Sequence, residues 1–318
     1  MGSPVFLISI DTELLWGVAN VPAHPAFKLM LANPSKTRDA IYDLLSLFEQ
    51  HHVPATWAVV GHLFLDACDG LHHDLYEEQQ SWHSYDPGSD IRTDPLYYGR
   101  DLIEAIMGNK VEHEIGYHSF SHVRFSACTE AVAEAEIVGG IKLAKEFGIR
   151  LRSFVFPENE INHLNILKKY DFVIFRGRNC RRNVEQDFLV RRLNAAVDKI
   201  TLSSAVPVWR DGLWETNANL TYDGLRVPFA LDFRTLSGLE RTIISRKVYH
   251  LSLHPYDVLL RPALLKYLDK LLTRAAAKRD RGVLKIMTMS GLATHLDKER
   301  NRLVGKESDL ERQEGAHF

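Results

Sequence analysis

His118 and His122 stand four residues apart in Glu114-Ile115-Gly116-Tyr117-His118-Ser119-Phe120-Ser121-His122, just past a short apolar run. Neutral imidazole is the commonest side-chain ligand of a divalent metal, and two at this spacing share one side if the backbone turns helically there. A metal held for hydrolysis needs a further protein ligand, usually a carboxylate, and a base beside it. Ser9-Ile10-Asp11-Thr12-Glu13 offers both. Two acids two apart at a strand end point the same way, so one can bind metal while the other takes a proton from water. His254, in Leu251-Ser252-Leu253-His254-Pro255-Tyr256, also closes an apolar run. An imidazole titrating near neutrality suits protonation of a leaving amine. Each piece alone has a plain structural reading: Asp11 as a loop cap, the histidine pair as a cap and a surface residue, His254 as a packed ring. Their shared position after apolar runs is what argues for chemistry.

The elements that must carry these residues are legible from periodicity. Val5–Ile10 reads as a strand buried on both faces. Further strands are expected at Ala55–Val60, 112–117, Ser153–Phe156, Phe172–Phe175, Tyr249–Leu253 and Val283–Met289. Helices are expected at Thr37–His51, 99–108, Thr129–Phe147 (Thr129 as cap, Gly148 as stop), Asn162–Tyr170 and Arg261–Arg281. Residues 14–35, with Pro22, Pro25 and Pro34, read as a long loop, and from 178 to about 230 the pattern is poor. Strand and helix alternate about seven times, which implies a parallel sheet. The expected fold is α/β: a distorted, seven-stranded (β/α) barrel with parallel strands over residues 1–296, and a charged tail, loose or helical, over 297–318. The C-terminal strand ends of a parallel barrel open on one face. That rule gathers Asp11, Gly61, His118, Pro157, Arg176 and His254.

Two stretches stand out beyond this frame. Residues 62–98 crowd Trp82, His83, Tyr85, Asp86, Asp90, Asp94, Tyr97 and Tyr98 around Pro87, Gly88 and Pro95. A long loop of this kind is either functional or a cover over the barrel mouth. Its ring faces and carboxylates make Trp82, Asp86 and Tyr97 candidates for contact with a ligand. Six arginines lie between 176 and 192; they form a phosphate site or a solvated, ion-paired face.

Bulk composition narrows the class. The 318 residues are 45% hydrophobic and 25% charged, with net charge −2, ordinary values for a globular protein with a large core. That balance gives no reason to expect a nucleic acid polymer as partner. No apolar run approaches the ~20 residues of a membrane span. Cys68, Cys128 and Cys180 are odd in number and far apart, which argues against a disulfide framework and fits a reducing compartment. The apolar run at Val5–Ile10 has no basic segment before it and reads as a core strand, so the expected location is the cytoplasm.

Together these segments resemble the polysaccharide deacetylase family, carbohydrate esterase family four, which includes chitin and peptidoglycan deacetylases. Its first motif, a base aspartate and a metal-binding acid, is matched by Asp11 and Glu13. Its second, H-S/T-x-x-H/S, is matched by His118-Ser119-Phe120-Ser121-His122. A third, around an arginine and a proline at a strand end, corresponds to Ser153-Phe154-Val155-Phe156-Pro157-Glu158-Asn159, and the late leucine–histidine motif to Leu251-Ser252-Leu253-His254. Three departures are visible. Glu13 stands where an aspartate is usual. The arginine that orients the base is not in the third motif; Arg176 or Arg152 takes its place. The aspartate–tryptophan pair that supports the acid histidine has no clear match, with Asp211 beside Trp209 or Trp214 the available substitute.

The resemblance implies a metal-dependent hydrolase that removes an N-acetyl group from an amino sugar. Glu13, His118 and His122 would hold the metal, with Zn2+ the first choice and Co2+, Mn2+ or Ni2+ the alternatives. Asp11 would act as base, oriented by Arg176, and His254 as acid. Pro157 and Glu158 would line the substrate, a backbone N–H near Glu158 facing the oxyanion; a carboxylate left unpaired at Glu158 would raise the base pKa or hold a substrate amine. The expected substrate is an N-acetylated sugar or sugar carrier, such as a surface-polysaccharide precursor. The competing readings are hydrolysis of another non-peptide C–N bond in a small amide, and a catalytically silent carbohydrate-binding barrel.

Overall fold

The computed structural model describes residues 2–72, 84–177, 206–222 and 228–315, with side chains left aside at 222–234 and beyond 302. Its sheet begins with β1 (Val5–Thr12), β2 (Thr56–Val59), β3 (Glu114–Tyr117), β4 (Ser153–Val155) and β5 (Ile174–Gly177). It continues with β6 (Val208–Arg210), β7 (Leu213–Asn217), β8 (Leu220–Tyr222), β9 (Val248–Leu253) and β10 (Lys285–Ile286). The spatial order is β6-β7-β5-β4-β3-β2-β1-β9-β8, with β10 beside β1. Every pairing is parallel except β6 on β7.

Only Ala218 and Asn219 separate β7 from β8. This one stretch pairs with β5 through its first half and with β9 through its second, and so brings the curled sheet round on itself. Asn219 fastens the junction: its N–H donates to the His250 carbonyl at 2.8 Å, and its Oδ1 accepts from the His250 N–H at 2.7 Å. The expected strand at 283–289 shrinks to the two residues of β10, outside this ring. Its place is taken by 213–222, inside the stretch without a legible pattern. The run Leu-Trp-Glu-Thr-Asn-Ala-Asn-Leu-Thr-Tyr is too polar to read as buried: among its described side chains Leu213, Trp214 and Leu220 join the apolar cores.

The helices are α1 (Pro25–Ala32), α2 (Pro34–His51), α3 (Arg100–Met107), α4 (Glu130–Glu146) and α5 (Leu164–Lys169). They are followed by α6 (Pro228–Ser245), α7 (Pro255–Leu260), α8 (Ala263–Asp280) and α9 (Met289–Gly315). The expected loop at 14–35 instead holds a 3-10 turn at Leu14–Gly17 and helix α1. Pro25 and Pro34 each open a helix at its first turn, where the missing N–H costs nothing. Pro262 has the opposite effect and splits the expected Arg261–Arg281 helix from α7. The charged tail from 297 continues α9 as helix to Gly315.

Alternation along the strands sorts two environments. In β1, Phe6, Ile8 and Ile10 pack outward into the core shared with the helices, together with Leu44, Phe48, Trp57 and Tyr249. The odd positions face the interior. Val5 and Leu7 join Ala58, Val155, Ile174, Trp214 and Val248 in an apolar plug closed by Met289 and Leu292 of α9. Above the plug the same face turns polar, through Ser9 to Asp11, and Glu13 directly follows the strand. The barrel is apolar at the bottom and ionisable at the top.

One polar group outside the barrel sets a pH limit on stability. His113 packs among Phe48 and Trp57, and its Nδ1 accepts from the Ala55 N–H at 3.1 Å. Burial pushes its imidazole down to about 4, so the folded chain keeps it neutral where an unfolded chain, at the ordinary 6.5, takes up a proton. Its contribution is complete above pH 6.5 and is lost as pH falls from 6.5 toward 4, up to about 3 kcal/mol. Urea midpoints should therefore fall over that range, with a shallower slope in His113→Gln. Identical slopes in the two proteins count against this assignment.

Candidate active site

Glu13 directly follows β1, and its carboxylate is the hub of the upper interior. Its Oε2 lies 3.1 Å from His118 Nε2 and 3.1 Å from His122 Nε2. His118 donates its Nδ1–H to the Val155 carbonyl at 2.7 Å, which fixes the ring with Nε2 turned to the hub. The loop is not a helical turn, as the four-residue spacing suggested. Ser119 and His122 instead adopt positive φ of 60° and 59°, and this irregular turn brings the rings to 4.9 Å between centroids. Burial opposes a charge on Glu13, but His122 and His254, with hydrogen bonds from His118 and His122, hold its carboxyl well below the usual range.

Asp11 sits one layer deeper. Arg176 of β5 donates to both of its oxygens, Nη1 to Oδ1 and Nη2 to Oδ2, each at 2.6 Å. Arg176, not Arg152, thus holds Asp11. The guanidinium also donates to Ser9 Oγ at 3.0 Å and, from Nε, to Asn159 Oδ1 at 3.3 Å. Ser9 is 2.9 Å from Nε2 of His250, whose imidazole burial and Arg176 push down to about 3. Asp11 keeps its charge despite burial because Arg176 bonds it at both oxygens.

His254 follows β9. Its Nε2 lies 3.6 Å from Asp11 Oδ2 and 3.8 Å from Glu13 Oε1. Its Nδ1 is 3.0 Å from Asp257 Oδ2, which also accepts the His254 backbone N–H at 2.9 Å. Burial alone would push this imidazole down; the Glu13, Asp257 and Asp11 carboxylates hold it up at about 10. Asp257, not Asp211, therefore supports His254. Asp211 is exposed beside Arg210, and Trp214 donates to Asp297. The missed signal was local: an acid three residues after a potential cap, as in a capping box.

Two further residues escaped sequence reasoning. Glu136 of α4 is fully buried beneath the histidine turn and accepts from the Phe120 N–H (2.8 Å), the Ser121 N–H (2.9 Å) and the Ser121 hydroxyl (2.6 Å). Gly17 closes on Glu13 so tightly that a Cβ there would stand 1.8 Å from Oε1. Gly17→Ala should displace the carboxylate and weaken metal binding by about 10–100-fold with little change in fold. Metal titration of the folded variant is the check, and wild-type affinity would refute it.

The substrate candidates fare unevenly. Trp82 lies outside the described residues, as does the arginine cluster beyond Gly177. The Asp86 side chain has no exposed surface and meets His62 and His72, so it cannot reach a substrate as expected. Tyr97 is half-buried against Trp16, and Pro157 is buried. Glu158 is not the unpaired acid anticipated: Arg124 approaches at 3.2 Å, and Asn20 donates to it at 3.4 Å.

The donors of Glu13, His118 and His122 all lie within 4.8 Å of one another. One carboxylate oxygen and two imidazole lone pairs, with a tautomer set by Val155, suit a divalent cation of the zinc type.

Comparison with known proteins follows the same line. The polysaccharide deacetylase family model matches residues 33–174, a span that contains His118, His122 and Pro157. The resemblance read from the motifs holds over that span. No curated protein matches the sequence. A solved structure of a candidate polysaccharide deacetylase from Mycobacterium smegmatis superposes with TM-score 0.61 at 16% identity, covering 94% of this chain and 92% of its own. Another, from Pseudomonas aeruginosa PAO1, gives TM-score 0.53 at 11% identity over 93% of this chain and 90% of its own. At such identities the likeness is one of fold, and it is the (β/α) barrel.

Proposed function

We propose that this relative of the polysaccharide deacetylases is a metal-dependent hydrolase that removes an N-acetyl group from an amino sugar. The observation that carries the reading is the juxtaposition of three groups. Arg176 clamps Asp11; His254 Nε2 lies 3.6 Å from Asp11; and Glu13 meets two imidazoles at 3.1 Å each.

When bound by Glu13, His118 and His122, a divalent cation supplies Lewis acidity toward the acyl oxygen and makes water more acidic. Asp11, kept ionised by Arg176, accepts a proton from water as the water oxygen bonds to the acyl carbon. Arg176 fixes both oxygens of that base, so its approach to the water is preset. Asp257 holds the Nδ1–H of His254 and leaves the Nε2 proton facing Asp11 and Glu13. His254 gives that proton to the sugar nitrogen as the C–N bond breaks, leaving acetate and a free amino sugar.

The reading extends to a cytoplasmic enzyme acting on a precursor of surface polysaccharide. Cys68 and Cys128 as free thiols, among the described residues, support the compartment. The test is a panel of N-acetyl sugars, free, nucleotide-linked and lipid-linked, scored for released acetate with metal supplied. Acetate from at least one member supports the reading; none from any of them overturns it.

A further inference from the structure

A second group of metal-type donors lies on the other side of the histidine turn. His62, Cys68, His72 and Asp86 each offer one donor atom, all within 4.8 Å of one another. We propose that these four residues form a second zinc site, structural in role, that ties His62, Cys68, His72 and Asp86 together beside the His118–His122 turn.

Geometry is the first argument. Cys68 Sγ lies 3.4 Å from His62 Nε2 and 3.3 Å from Asp86 Oδ1. Asp86 Oδ2 is 3.0 Å from His62 Nε2 and 2.6 Å from His72 Nε2. Tetrahedral zinc with ordinary Zn–N and Zn–S bonds spaces its donors by about 3.3–3.7 Å. The sulfur edges already match, and the nitrogen–oxygen edges need only a small opening.

The hydrogen-bond inventory is the second. His62 Nδ1 lies 2.9 Å from the Tyr97 carbonyl, so that nitrogen must carry a proton. In neutral imidazole the other nitrogen, Nε2, is then a bare acceptor. It faces the Asp86 carboxylate and the Cys68 sulfur, with no exposed surface on the His62 or Asp86 side chains. Two imidazoles, a sulfur and a carboxylate packed this closely away from water call for positive charge among them, which protons on the imidazoles or a divalent ion can supply. A divalent ion there satisfies four donors at once.

The surroundings are those of a supported metal site. The Ser89 N–H donates to Tyr98 Oη at 2.9 Å, so the phenol proton is free for Cys68 Sγ at 3.2 Å. The Gly88 N–H donates to Asp86 Oδ1 at 3.0 Å. Trp16, Tyr98 and Phe120 wall the cluster, with ring centroids 4.6, 5.0 and 5.8 Å from that of His62.

The role follows from where it sits. All four positions are protein donors, which leaves none open for substrate and marks the site as structural. The His62 N–H donates to the Phe120 carbonyl at 2.9 Å, and the Gly61 N–H to the Ser119 carbonyl at 2.7 Å. A metal on His62 thus braces the turn that positions His118 and His122, without touching substrate.

The test uses the full chain and cobalt, because only this site contains a thiolate. Wild-type protein should bind two equivalents of zinc by elemental analysis. Its cobalt form should show a near-ultraviolet thiolate-to-cobalt band. His118→Ala should fall to one equivalent and keep the band; Cys68→Ala should lose the band. Wild-type cobalt protein without the band, or one equivalent that disappears entirely in His118→Ala, overturns the proposal. Both decisive measurements avoid the Cys68 variant, so its folding does not enter. Acetate release is not read, so failure of the deacetylase reading is a separate result.

Discussion

Asp11→Asn should retain a full complement of metal in the Glu13–His118–His122 site and lower acetate release by about a thousandfold. The substitution keeps shape and removes only the capacity to hold a proton at neutral pH. Asp11 contacts Arg176, Ser9 lies beneath it, and the nearest imidazole is His254 at 3.6 Å. None of these is a metal donor, so metal content should not move. On whichever substrate the acetate screen identifies, kcat should fall while bound metal, measured in the same preparation, stays stoichiometric. An unchanged kcat would remove Asp11 from the role of base. Loss of metal together with activity would place it among the ligands instead.

Arg176→Met should be the most damaging single change to stability, by about 3–5 kcal/mol. The Arg176 and Asp11 side chains are only 3% and 6% exposed, so removing the guanidinium strands a carboxylate in a nearly dry interior. A buried ion pair is weak evidence of net stabilisation, yet breaking it is costly because the orphaned charge has no water to turn to. The double variant Asp11→Asn, Arg176→Met should therefore recover most of the loss and be more stable than Arg176→Met alone. Urea unfolding of the four proteins closes the cycle. Simple addition of the two single effects would show that the pair does not act as one unit.

How much of this was legible in advance depends on the range over which each residue acts. Asp11, Glu13, His118, His122 and His254 could be singled out because each closes an apolar strand, and strand ends are local features. The two-residue spacing of Asp11 and Glu13 even indicates that both carboxylates turn inward at the end of β1. Asp257 was within reach as well, three residues after His254, but a tryptophan-centred expectation drew attention to Asp211. Gly17 and Glu136 were not legible. Nothing in Leu-Leu-Trp-Gly says that a carboxylate will rest on that glycine, and Glu136 lies in an ordinary amphipathic helix until the turn above it is seen.

Periodicity by itself determined the α/β class, the parallel sheet and the shared open end, since hydrophobic burial acts on neighbours along the chain. Closure was decided only in three dimensions. The stretch 213–222 earns its place in the ring from β5 and β9, not from its own polar residues. The same holds for the choice of Arg176 as partner of Asp11, 165 residues away. It holds too for the pairing of Glu158 with Arg124 and for the inward turn of Asp86. Electrostatic partners are selected by distance through space, and that distance exists only once the barrel has curled.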